Sequence, residues 1–158
     1  MVNSLAIGGI LKRLYKEFDM GLFLHRLRVQ KIIYLLQESG INLGYNFSWY
    51  FYGPYSAELT RDAFQIGDFN NIKPIGFENL DIEKKFYEFI SRIEKHKEDN
   101  TWLEVASSIL LLRRLYPEKK KEQIIVDIKK KRKELENLNG KINSVWEELK
   151  GWLIPNSK

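Results

Sequence analysis

SWYFYGPYS, residues 48–56, runs four consecutive aromatic side chains into a Gly-Pro step. The aromatics Tyr45, Phe47, Trp49 and Phe51 fall on alternate positions, a period of two that predicts a strand from Tyr45 to Tyr52. Tyr50 and Tyr52 put aromatic rings on the other face as well. Gly53-Pro54 is expected to end the strand, because proline has no amide to give to a ladder and glycine permits a bend. Ser56 then stands where a helix cap is wanted and opens a short helix to about Ile66. Residues 67–79 are rich in Gly, Asn and Pro, and NIKPIGF within them is expected to pair as a short second strand.

Around this stretch the periodicity is helical. Residues 3–17 begin with a capping-type Asn3-Ser4, and Leu5, Ile7, Leu11, Leu14 and Tyr15 form an apolar face that Gly8-Gly9 weakens. Residues 22–38 repeat Leu24, Leu27, Ile32, Leu35 and Leu36 at helical spacing, with Gly40 just past the end. Residues 81–97 turn Ile82, Phe86, Phe89, Ile90 and Ile93 to one side. TWLE, 101–104, has the spacing of a capping box, and the helix it opens is apolar almost all round through Leu112, so it is expected at the centre. Pro117 stops it; helices from about Lys119 to Leu135 and from about Lys141 to Leu153 finish the chain, separated by NLNG. The fold class expected is mainly α: one domain over 1–158, six or seven helices and a small two-stranded hairpin.

The 158 residues can bury a sizeable core, and 44% hydrophobic with 30% charged residues describe an ordinary globular chain. With no cysteine there is no disulfide or thiolate chemistry, and an intracellular, cytoplasmic setting fits best. The first apolar stretch is followed at once by Lys12-Arg13 and reads as a helix rather than an export signal. SSILLL, the longest apolar run, is far short of the ~20 residues of a membrane span, so no membrane association is expected.

Nothing in the pattern calls for catalysis, a metal or a cofactor. His25 and His96 lack carboxylates at ligand spacing, and Gly8-Gly9 follows no strand and belongs to no phosphate-binding motif. Ser56, Ser107 and Ser108 lack a nucleophile's turn. The carboxylates are read as scattered over solvent faces, none in an apolar surround that would raise its pKa.

The charge is uneven. Residues 101–133 carry ten Lys and Arg against four Asp and Glu, while residues 1–100 balance at thirteen each. On a helix, KKKEQIIVDIKKKRK would bury Ile124, Ile125 and Ile128 and fan out Lys119, Lys120, Lys121, Lys129, Lys130, Lys131, Arg132 and Lys133. That face suits nucleic-acid phosphates, or it is a solvated helix whose basic end complements its dipole. The aromatic strand likewise allows a base-stacking sheet or, the commoner outcome, alternate rings against a core.

RLRVQKIIYLL (26–36), INLGYNFSWYFYGPYSAEL (41–59), WLEVASSILLL (102–112), IKKKRKEL (128–135) and INSVWEEL (142–149), in this order and spacing, resemble the Panacea antitoxin domain, its YwgA-like branch most closely. The likeness spans about residues 22–150. Leu27, Gln30, Lys31 and Tyr34 fall on its helix motif; Tyr52, Gly53 and Pro54 fall on its Tyr-Gly-Pro motif, with Tyr55, Ser56 and Leu59 after it. Arg132-Lys133-Glu134 stands where Lys-Pro is often found. The resemblance implies a mostly helical fold and an antitoxin-like, non-enzymatic protein that neutralises or adapts a toxin-like partner protein. The alternative expectation is a nucleic-acid-binding regulator using 119–133.

Overall fold

The computed structural model describes residues 4–155. Seven α-helices and one two-stranded antiparallel sheet make up the described fold, as the sequence predicts. They are α1 (Ser4–Leu14), α2 (Phe23–Glu38), β1 (Ser48–Tyr50), β2 (Gly53–Tyr55), α3 (Ala57–Phe64), α4 (Leu80–Ile93), α5 (Asn100–Leu115), α6 (Lys121–Lys131) and α7 (Asn139–Lys150). Single 3-10 turns lie at Phe69–Asn71 and Lys133–Leu135.

Helix α5 is the axis. Every residue from Trp102 to Leu112 is buried, and α2, α6, α7 and the hairpin all pack on it. Asp99, not Thr101, caps α5: its carboxylate accepts from the Trp102 amide at 3.0 Å. Glu104, expected as the second half of a capping box, lies one turn into the helix and is 7% exposed.

The hairpin differs from expectation in extent and pairing. The alternation of burial runs from Ile41 to Trp49, so the period-two reading is right about an extended chain. Only Ser48–Tyr50 forms a ladder, because residues 43–45 bond to a side chain instead. Gln37 Oε1 accepts from the Leu43 and Tyr45 amides, and its Nε2 donates to the Tyr45 carbonyl. The return strand is Gly53–Tyr55, with Ser48 opposite Tyr55 and Tyr50 opposite Gly53 around a Phe51-Tyr52 turn. Gly-Pro therefore begins the second strand rather than ending the first, and Pro54 is tolerated because the sheet is all edge.

NIKPIGF is not a strand. It straps across α1, where the Ile75 amide donates to the Gly9 carbonyl at 3.1 Å. A Cβ on Gly9 would stand 2.8 Å from the Cβ of Ile75, so a glycine unfavourable to the helix by itself is what lets the strap lie down. The expected Asn3 cap lies outside the described residues. Leu5 is exposed, not on the buried face, and so is Leu24 at the start of α2.

Ser56 caps α3 as expected, its hydroxyl accepting from the Leu59 amide. The expected helix from Lys119 to Leu135 is shorter and broken: α6 ends at Lys131, and Arg132 is extended at φ −130° and ψ 98° before the 3-10 turn. α7 begins at Asn139 within NLNG and stops at Lys150.

Candidate partner-binding site

The motif residues of α2 and of the hairpin form one unit. Gln30 and Lys31 lie on the buried face of α2, each 3% exposed. Gln30 Oε1 accepts from the Ser56 amide at 2.8 Å, and its Nε2 donates to the Ser56 carbonyl at 3.0 Å and to Thr60 Oγ1 at 2.8 Å. The primary amide thus fills the role of a neighbouring strand for the last residue before α3. Beside it, Lys31 Nζ donates to the Pro54 carbonyl at 2.9 Å.

Gly53 has φ +95°, and a Cβ there would lie 2.6 Å from Ser108 Oγ on α5. Backbone conformation and close approach both call for glycine. Leu59 is fully buried beneath the unit, and the Leu27 side chain lines its rim. Tyr34 packs edge-on against Phe47 and donates to Glu38 Oε2 at 2.6 Å, while Arg114 holds the same carboxylate with two bonds. The Tyr34 hydroxyl is held well above its ordinary pKa, by burial first and by Glu38 second.

Beside the hairpin lies a partly buried charge cluster that local sequence patterns do not reveal. Arg132 Nη1 donates to both oxygens of Glu104, at 2.7 and 2.8 Å, and its Nε donates to Glu134. The guanidinium also lies 4.4 Å from the centre of the Tyr52 ring. Burial lowers the Lys31 pKa to about 7; the Glu104 charge opposes this and the Arg132 charge adds to it. Burial also raises the Glu104 carboxyl, against the pull of Arg132 and Lys31. The expectation that no carboxylate sits in an apolar surround is therefore wrong for Glu104. Twenty-eight residues separate it from the arginine that neutralises it, beyond the reach of any local spacing rule.

Above the cluster the aromatics come to the surface. Phe51, expected on the inward face, is 65% exposed at the hairpin turn, with Tyr50 at 56%, Phe64 at 54% and Phe23 at 48%. Phe23 meets Tyr52 edge-on at 5.5 Å, and Tyr50 stacks on Tyr55 at 5.4 Å. These rings and Leu27 enclose an open, mainly apolar cavity of about 340 Å³ between α2, the hairpin and α3. Five of the thirteen exposed large apolar side chains among the described residues line it. A larger polar cleft of about 1010 Å³ lies beside Tyr15 and His25, but its walls are bonded across it, as Arg28 to Asn100 and Tyr15 to the Lys97 carbonyl.

The eight basic residues of 119–133 do not form one free face. Lys119 pairs with Asp127, Lys121 with Glu147 and Arg132 with Glu104, while Lys131 Nζ lies over the Trp49 and Phe51 rings. The side chains of Lys120, Lys129, Lys130 and Lys133 make no ion pair or ring contact among the described residues. Of the expected buried stripe, Ile124 and Ile128 are buried and Ile125 only partly so.

His25 Nδ1 accepts from the Asp19 amide, and His96 stacks on Trp102 at 3.8 Å with Glu148 bonded to both rings. Among the described residues, no three His, Cys, Asp or Glu side chains are grouped to hold a metal ion, and no helix is long and apolar enough to cross a membrane. Comparison with protein-family models, with curated proteins and with solved structures finds no match to this chain.

Proposed function

We propose that this chain is a non-enzymatic binding module that holds a partner protein, antitoxin-like in the sense of the domain its motifs resemble. The observation that carries the reading is the cluster of exposed rings on the hairpin and its neighbours, Phe23, Tyr50, Phe51, Tyr52 and Phe64, around one apolar cavity. Taking large apolar side chains out of water lowers the free energy, and contiguous exposed patches mark places where another molecule covers them. Aromatic side chains at the centre of an interface carry a disproportionate share of its binding energy. The motif residues support the same reading. Gln30, Lys31, Gly53, Pro54 and Ser56 are buried, and hydrogen bonds tie α2 to the hairpin through them. Their role is to hold the hairpin rigid, which keeps the rings in place for a partner at little entropic loss.

The test is co-expression of the tagged chain with the product of the gene beside its own. Capture by the wild type, and loss of capture in a Phe51→Ser/Phe64→Ser variant of unchanged melting temperature, is the expected result. Equal capture by that variant would remove the hairpin surface from the interaction.

A further inference from the structure

The chemistry of the groove narrows what part of a partner it takes. We infer that it receives a short acidic segment, with one or two large apolar side chains in the cavity and Asp or Glu carboxylates beside Arg26, which lines it, and Lys131, whose ammonium lies over the lining Phe51 ring. This rests on the partner-binding reading and adds the character of the bound segment.

Three observations carry it. The first is the satisfied floor. Gln30 is bonded to Ser56 and Thr60, Lys31 to Pro54, and the Thr60 hydroxyl to Tyr55 and Ser56. No buried side-chain polar atom among the described residues is left without a partner. A polar group pressed against this floor would give up water and find no free partner there, so the part that meets it is apolar. At about 340 Å³ the cavity is at the small end of binding pockets, sized for side chains rather than a whole folded element.

The second is the sign of the rim. The cavity lining includes Arg26 and Lys31 and no carboxylate. Lys31 is buried, and Arg132, behind the Tyr52 ring, is held by two carboxylates outside the lining, Glu104 and Glu134. Arg26 reaches the Met20 carbonyl and the Phe23 ring, and Lys131 two rings, so neither has a counter-charge among the described residues. Beside these two side chains an incoming carboxylate meets unpaired positive charge, and an incoming cation is repelled.

The third concerns the rings. A basic rim with exposed aromatics would also suit single-stranded nucleic acid, but base stacking needs open ring faces. Here Tyr50 stacks on Tyr55, Lys131 covers Phe51, and Arg132 covers Tyr52. That leaves fewer open faces and a hollow between the rings, which aliphatic and aromatic side chains fill better than a stacked base does.

The experiment uses the full chain and two fluorescein-labelled peptides with the same apolar residues, Asp-Leu-Phe-Glu-Leu and Lys-Leu-Phe-Lys-Leu, read by fluorescence anisotropy. The acidic peptide should bind at least tenfold tighter, and Phe64→Ser should abolish its binding without shifting the melting temperature. In Arg26→Gln/Lys131→Gln the two peptides should bind alike. Equal or tighter binding of the basic peptide, no binding of either, or displacement of the acidic peptide by a thymidine oligonucleotide would overturn the inference. A partner protein captured in co-expression and retained by Phe64→Ser would sink the groove while leaving the partner reading intact. Failure to capture any partner, with acidic-peptide selectivity present, would do the reverse.

Discussion

Gln30 and Ser56, 26 residues apart, exchange two hydrogen bonds through the side-chain amide of one and the backbone of the other. The pair is buried, so no water replaces what a substitution removes. Gln30→Leu leaves the Ser56 amide without its partner and takes one from the Ser56 carbonyl, and should cost about 2–5 kcal/mol. Gln30→Glu keeps the acceptor, loses the donor and places a charge in the interior, so it should be no better. Urea denaturation checks both; a loss under about 1 kcal/mol for Gln30→Leu would mean that the hairpin's root is held elsewhere.

Gly53 is constrained twice, by φ +95° and by the 2.6 Å that would separate an added Cβ from Ser108 Oγ. Gly53→Ala should cost about 1–3 kcal/mol, and Gly53→Val more. The two causes separate in a double-mutant cycle. Ser108→Ala removes the clashing oxygen, so Gly53→Ala should be less harmful in that background, with a remainder belonging to φ alone. Full additivity would show that the clash is relieved by a small shift and that only the backbone matters.

The fold is legible where the signal is periodic and local. WLEVASSILLL is apolar almost all round and forms the central helix; Ser56 stands where a cap is needed and caps α3. Expectation fails where a distant group replaces a local one. TWLE matches a capping box, yet Asp99, two residues earlier, takes the amide of Trp102 and leaves Glu104 for Arg132. The alternation from Tyr45 suggests a long strand, because nothing in the sequence shows that the Gln37 side chain takes the bonds a second strand would make. Gly53-Pro54 reads as a terminator, and in a sheet with no interior strand it can begin the return. The site is half legible: the motif marks Gln30, Lys31 and the Gly-Pro step. Phe23, Phe64, Lys131 and Glu104 join only through contacts across the fold.

Glu104 is buried and Arg132, whose side chain is 21% exposed, covers it, so the two halves should not be removed singly. Arg132→Met strands the carboxylate beneath the hairpin and should cost about 3–5 kcal/mol. Glu104→Gln added to that variant removes the stranded charge and should recover part of the loss. Denaturant titration of the three proteins checks this. A harmless Arg132→Met would mean that Lys31 alone neutralises Glu104.

Lys31 gives the protein a pH dependence of definite sign. Its pKa is about 7 in the fold, against ~10.4 for a free lysine. Between those values the unfolded chain holds the extra proton, so this group makes stability rise with pH across the interval and has no effect on the slope below it. Relative to Lys31→Met, the wild type should gain on the order of 1 kcal/mol per pH unit between about 7.5 and 9.5. Parallel stability curves for the two proteins would mean that Lys31 keeps a pKa near the free-lysine value in the fold.

The basic helix separates the two functional readings. Lys129, Lys130 and Lys133 are free of ion pairs among the described residues, whereas Arg132 is bound to Glu104 and Lys131 to the rings. Only the first three can be changed without touching the hairpin. If they neutralise duplex phosphates, Lys129→Gln/Lys130→Gln/Lys133→Gln should lower the slope of log affinity against log salt by roughly 0.9 for each phosphate released. Under the partner reading the wild type binds duplex weakly at physiological salt, the triple variant keeps its melting temperature, and it still captures the partner that Phe51→Ser/Phe64→Ser releases. That result is the expected one, because the exposed aromatic surface lies on the hairpin and α3 and the three lysines line no part of its cavity. Tight duplex binding by the wild type, abolished in the triple variant, together with no protein capture by either, would transfer the function from the hairpin to the basic helix.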